Sequence, residues 1–232
     1  MIEAPQFGLL LFPELTQLDL TGPAEVFGMA PGGTVHLLWK TREPVATGKG
    51  WRIEPTTSFA ECPPLDVLCV PGGSGQIALM EDEEVLAFLR RQAATARYVT
   101  AVCTGSLVLG AAGLLRGYRA ASHWMSRDQL ALLGASPVDE RVVIDRNRIT
   151  GGGVTAGIDF ALTVVAALCG EEAAKRIQLA LEYDPQPPFD CGSPGKAGPA
   201  RVAAVTAAAR ESQEKRLAAT RRAAAALGLP AA

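Results

Sequence analysis

Short continuous apolar runs alternate along the chain with longer stretches in which apolar residues return every three or four positions. A continuous run closed by Pro, Gly or a charge marks a strand buried on both faces, and the three-to-four spacing marks a helix with one buried side. The runs predict strands at Gln6–Phe12, Val35–Lys40, Leu65–Val70 and Arg97–Val102, with shorter pieces in Trp51–Thr57 and Tyr118–Ser122. Helices are predicted near Gly22–Met29, with Pro23 at a first helical position, and at Glu83–Ala96, Gly105–Ala112, Trp124–Leu133, Thr155–Leu168 and Glu171–Tyr183. Arg141–Asp145 and Arg148–Thr150 pair as a hairpin around Arg146-Asn147, with Asn147 suited to the left-handed turn position. This alternation predicts an α/β fold, a mainly parallel sheet sandwiched between helices.

The pattern breaks at Asp184–Pro199, where Pro185, Pro187, Pro188, Pro194 and Pro199 make an extended loop. Beyond it, Ala200–Leu227 reads as one Ala-rich helix. The organisation expected is a single α/β domain over residues 1–184, with 185–232 a loop and a helix packing on the same domain or on a sister subunit. From Lys196 onward seven bases face only Glu211 and Glu214, an excess of five positive charges. That run reads either as an arm for a nucleic acid or a partner, or as the solvated face of a packed helix. A helix-turn-helix needs two helices and a turn, and only one uninterrupted run is present, so DNA binding is not expected.

Composition narrows the classes. Apolar residues at 48% and charged residues at 20% are globular values and exclude global disorder. A net charge of −2 provides no basic field for gripping DNA. The most apolar stretch, Tyr98–Leu115, is interrupted by Thr104, Gly105 and Ser106, so no membrane span is expected. The N-terminus has no basic segment before its short apolar run, and no signal peptide is expected. Five cysteines at wide spacings, with no CxxC pair, predict neither a disulfide scaffold nor a zinc site, and point to a reducing cytoplasm.

Candidate chemistry centres on YVTAVCTGSLVLGAAGLL, residues 98–115. A buried strand runs into Cys103-Thr104-Gly105-Ser106 and a helix follows at once. Cys103 therefore sits in a tight strand-to-helix turn at the carboxyl edge of the sheet, where open α/β sheets bind ligands. The helix N-terminus below it predicts a depressed thiol pKa. Cys62, Cys69, Cys169 and Cys191 read as ordinary small hydrophobes. A reactive thiol needs a partner. His36 lies in a strand pattern and reads as structural, whereas His123 can approach the same edge and make a papain-like pair with Cys103. Asp19, in QLDLTGP directly after the first strand, is either an acid/base at that edge or the cap of the helix at Pro23. Leu18 and Leu20 beside it would raise its pKa by desolvation. Gly72 and Gly73 in the PGGSG turn either aim backbone N–H groups at a ligand or make an ordinary turn. Gly151–Gly153 is no nucleotide fingerprint.

These motifs carry a resemblance. The PGG turn at Pro71–Gly73, the AVCTGS elbow around Cys103 and an SHW segment with His123 twenty positions later resemble the PfpI-like superfamily, of flavodoxin-like, class I glutamine-amidotransferase-like fold, over Gln6 to about Tyr183. Within it, LLFPELTQLDLTGPAEVF, TGGGVTAGIDFALT and QLALEYDPQPPFDCGSPG are most similar to the isocyanide hydratases. The resemblance implies hydration of an isocyanide to an N-substituted formamide with no metal and no organic cofactor. It implies Cys103 as nucleophile, Asp19 as its carboxylate partner, Thr104 shaping the site, Gly72, Gly73 and His123 near the substrate, and a homodimer with its site near the subunit interface. Many relatives use instead a Glu after the first strand. Glu14 lies near that place, but the LDLTGP context favours Asp19. Other readings are a glyoxalase, deglycase or peptidase-like enzyme using Cys103 with His123, and a sensor oxidised at Cys103. A third is an AraC-type regulator, for which about 33 residues after Pro199 are too few to form the DNA-binding domain.

Overall fold

The structure, a computed structural model, describes residues 4–230. Seven strands form the main sheet: β1 Gln6–Leu10, β2 Thr34–Trp39, β3 Thr57–Ser58, β4 Val67–Val70, β5 Tyr98–Val102, β6 Val142–Asp145 and β7 Arg148–Gly151. Their order across the sheet is β6-β7-β5-β4-β1-β2-β3, and every neighbouring pair is parallel except the β6–β7 hairpin. Strands β1, β4 and β5 are buried on both faces, as their unbroken apolar runs require. The seven helices predicted at sequence level have counterparts, with ends shifted by several residues. Helices α1 (Gln17–Gly28), α4 (Ala156–Cys169) and α5 (Glu171–Ala180) pack together on one side, while α2 (Glu83–Ala93), α3 (Gly105–Ala111) and α6 (Pro199–Ala226) lie on the other. Phe7 stacks on Phe27 of α1 at 4.6 Å and Phe59 on Phe88 of α2 at 4.0 Å, so aromatic pairs fill both layers.

Three local expectations are corrected. Helix α1 begins at Gln17, so Pro23 lies inside it and not at its start. The Pro23 ring packs closely on Gly157 of α4, where an added Cβ would stand 3.2 Å from Pro23 Cδ. The left-handed residue of the β6–β7 turn is Arg146 (φ +55°), not Asn147. Its guanidinium lies 3.5 Å from the Tyr118 ring centre and donates to Gly117 O at 2.7 Å, contacts that offset the cost of the backbone conformation. The Trp124–Leu133 helix is a 3₁₀ turn over Arg127–Leu133, ended by Gly134 in the left-handed conformation.

The chain lays β2 and β3 on one side of β1, then returns to lay β4, β5 and β7 on the other. The reversal between β1 and β4 creates a crevice at their carboxyl ends. Asp19, the Pro71–Gly73 turn and Cys103 lie on the connections leaving β1, β4 and β5 at that edge.

Candidate active site

Strand β5 ends at Val102 and α3 starts at Gly105, so Cys103 and Thr104 alone must turn the chain. Cys103 takes φ +57°, a left-handed conformation that a side chain normally avoids. The surroundings hold it there: its N–H donates to Gly152 O at 2.8 Å, and its carbonyl accepts from Ser122 Oγ at 2.8 Å. Gly105 makes the bend possible, because a Cβ would lie 2.0 Å from Val70 O.

Asp19 is fully buried in the first turn of α1, and its N–H donates to Thr16 O at 2.9 Å. It is therefore not a helix cap. Its Oδ2 accepts from the Gly72 N–H at 3.0 Å, while Oδ1 is buried with no hydrogen-bond partner. The Cys103 thiol is its titrating neighbour: the Asp19 charge raises the thiol pKa, and the thiol in turn lowers that of the carboxyl. Burial lifts the carboxyl from 3.8 to about 7, although Cys103 and Gly72 pull it the other way. Burial, then the Asp19 charge, pushes the thiol well above its ordinary value, while the Thr104 N–H and Arg216 pull down. This reverses the expected depression at Cys103, because the helix terminus is outweighed by an anion beside a buried sulfur. The two groups form one acid–base unit whose protons are shared.

Gly72 is placed differently from the expectation that its N–H serves a ligand, since that N–H is spent on Asp19. Its lack of a side chain matters as much. A Cβ would stand 2.6 Å from Thr104 N and 2.8 Å from Asp19 Oδ2. The Gly73 N–H is likewise engaged, donating to Thr104 Oγ1 at 3.1 Å, so Thr104 ties the PGG turn to the elbow through its side chain.

A pocket of about 200 Å³ opens over the sulfur, lined by Cys103, Thr104, Gly73 and His123 and closed by Gln213 and Arg216 of α6. His123 is half-buried, and burial and the Arg216 charge lower its pKa. Its Nδ1 accepts from Met125 N at 3.4 Å, and among the described residues no hydrogen bond joins it to Cys103. A groove of about 400 Å³ shares His123 and Val154 with the pocket. A larger cleft of about 600 Å³ beside Leu18 and Ile158 contains neither Cys103 nor Asp19. Glu14 is exposed at φ +62°; its carbonyl accepts from Ser74 Oγ at 3.3 Å behind the pocket wall, and it is not itself a lining residue. His36 bonds Thr57 and Gln6 on the β2 side of the sheet. Among the described residues no His/Cys/Asp/Glu cluster is arranged to hold a metal, and no helix is long and apolar enough to cross a membrane.

Sequence reasoning missed Thr16, Ser74, Met125 and Val154 on the pocket wall, and one whole side of it, which comes from α6. Ser212, Gln213 and Arg216 border the pocket, and nothing in an Ala-rich, basic run marks those three positions.

Residues 7–167 match the model of the DJ-1/PfpI family. The chain is 57% identical to the isonitrile hydratase of Pseudomonas putida over 226 residues, 97% of this chain and 99% of that protein. It is 32% identical to the HTH-type transcriptional regulator GbdR of Pseudomonas aeruginosa over 76% of this chain but only 50% of the regulator. A solved THiJ/PfpI family protein from Pseudomonas syringae superposes with a TM-score of 0.90 at 47% identity, covering 94% of this chain and 90% of that one.

Proposed function

The chain belongs to the DJ-1/PfpI family, and from that premise we propose that it is an isocyanide hydratase, converting R–NC and water into the formamide R–NH–CHO. The similarity to an isonitrile hydratase runs nearly end to end in both chains. The observation that carries the chemistry is the buried Asp19 carboxyl coupled to the Cys103 thiol beneath a pocket.

An isocyanide carbon accepts a soft nucleophile. In this reading the reacting form of the pair is a Cys103 thiolate beside a protonated Asp19, reached when the thiol proton passes to the Asp19 carboxylate as the substrate binds. Sulfur adds to the carbon and the Asp19 proton passes to the same carbon, giving the thioimidate R–N=CH–S–Cys103. Asp19, now a carboxylate, takes a proton from water as the water oxygen adds to that carbon, and delivers it to nitrogen. The C–S bond then breaks, the hydroxyl proton returns to Asp19, and the formamide leaves with the thiolate restored. The pocket of about 200 Å³ suits the isocyano group, and the groove beyond His123 has room for the substituent. Gly73 and Thr104 wall the reacting end, and Gly72 aims Asp19.

The same reading takes the protein as a cytoplasmic homodimer working without metal or organic cofactor. Its support is the family resemblance and five unpaired cysteines. The test is a steady-state assay with cyclohexyl isocyanide, run beside methylglyoxal. Formation of N-cyclohexylformamide, lost in Cys103→Ala, is the expected result. Turnover of methylglyoxal with none of the isocyanide overturns the reading.

A further inference from the structure

Arg216 is 6% exposed and lies on α6, outside the residues 7–167 matched by the family model. Its Nε donates to Gln76 Oε1 at 2.6 Å and its Nη1 to Ser126 Oγ at 3.4 Å. Both partners are neutral, and among the described residues no carboxylate pairs with it. A buried cation with neutral partners alone is costly to the fold. One amide and one hydroxyl nevertheless hold it at the border of the pocket that contains Cys103, with Gln213 one helical turn away on the same wall.

We propose that Arg216 is a positioning residue for the hydration chemistry: its fixed cation beside the pocket draws the single negative charge of the Cys103–Asp19 pair toward sulfur and so eases the proton transfer to the carboxyl that makes the nucleophile. This rests on the hydratase reading and specifies how its nucleophile is made. The geometry gives the bias a direction. Asp19 is buried beneath the elbow and absent from the pocket lining, whereas Cys103 shares that lining with Arg216. Consistent with this, the Arg216 charge pulls the thiol pKa down, against the larger upward push of burial and of Asp19. The titratable or charged groups around the sulfur are Asp19 from α1, His123 from the segment before Arg127–Leu133, and Arg216 from α6. His123 is kept neutral by burial and by Arg216 itself, so the cation acting on the sulfur is Arg216. A fixed charge in a water-poor pocket acts more strongly than the same charge in solvent.

The experiment is the pH dependence of Cys103 alkylation by iodoacetamide, set beside kcat/KM for cyclohexyl isocyanide, in wild type, Arg216→Met, Arg216→Lys and Gln76→Glu. Arg216→Met keeps most of the side-chain volume and removes the charge. Gln76→Glu keeps the arginine and neutralises its field with a carboxylate. The expected result for both is an upward move of the alkylation midpoint by about one pH unit, with alkylation on the acid limb about tenfold slower. Arg216→Lys keeps a midpoint close to wild type. Wild-type midpoints in both Arg216→Met and Gln76→Glu overturn the proposal. If Arg216→Met fails to fold, Gln76→Glu alone decides. A shifted midpoint in a protein that never hydrates an isocyanide supports the Arg216 assignment and refutes the hydratase reading.

Discussion

The Gly72 N–H donates to Asp19 Oδ2 at 3.0 Å, which leaves Oδ1 buried, without a hydrogen-bond partner and coupled to the Cys103 thiol. One backbone donor from the β4 turn thus fixes a carboxyl from the β1 connection against a sulfur at the end of β5. The acid–base pair is assembled at the point where the sheet order reverses.

Removing the space that Gly72 leaves should disturb that pairing. In Gly72→Ala the new Cβ meets the Thr104 backbone and Asp19 Oδ2 below 3.0 Å. The expected cost is about 1–3 kcal/mol of stability, with kcat/KM for cyclohexyl isocyanide down more than tenfold. Denaturant titration and steady-state kinetics on the same preparation check it.

Asp19 should make the protein less stable as pH rises. Its folded pKa of about 7 exceeds the ordinary 3.8, so the folded chain keeps a proton that the unfolded chain gives up. The stability that this proton contributes is full below about pH 4 and lost as pH climbs through about 7. Asp19→Asn should therefore be more stable than wild type at pH 8, by roughly 2–4 kcal/mol, with the gain gone at pH 4. Its turnover should fall at least a hundredfold. Thermal melts at the two pH values supply the comparison.

The positive φ of Cys103 inverts an ordinary ranking. Both Cys103→Ala and Cys103→Gly should abolish hydration, since each removes the nucleophile. Glycine normally destabilises relative to alanine, but at φ +57° it relieves strain. Cys103→Gly should therefore be the more stable of the two by about 1 kcal/mol. Equal melting temperatures would show the elbow to be unstrained.

His123 separates the two thiol partners. With the Asp19 pair as the acid–base unit, His123→Gln should lower kcat/KM less than tenfold, chiefly through KM. A papain-like Cys–His pair would instead cost about a thousandfold or more in kcat.

Much of this architecture was legible in the chain. The unbroken apolar runs of β1, β4 and β5 mark strands buried on both faces, and Gly105 directly after Cys103-Thr104 marks a turn too tight for a side chain. Asp19 was legible as a candidate and its role was not, because a carboxylate near a helix start serves equally as a cap. The helix boundary misled as well. Pro23 reads as a helix start, yet the helix begins six residues earlier and carries the ring in its interior, packed on Gly157. The thiol pKa was misjudged for a related reason. The helix N-terminus is visible in sequence, whereas the opposing anion is 84 residues away in the chain and adjacent only in the fold.

The amino-acid order alone settles the strand–helix alternation, the elbow at Cys103 and the set of glycines, since each depends on local sterics and on the period of apolar positions. The folded arrangement alone decides which carboxyl meets the sulfur, which N–H groups are already spent, and that a basic helix far along the chain brings Arg216 to the pocket. Those outcomes depend on desolvation and charge across long loops, and both are set by packing that no short stretch of sequence encodes.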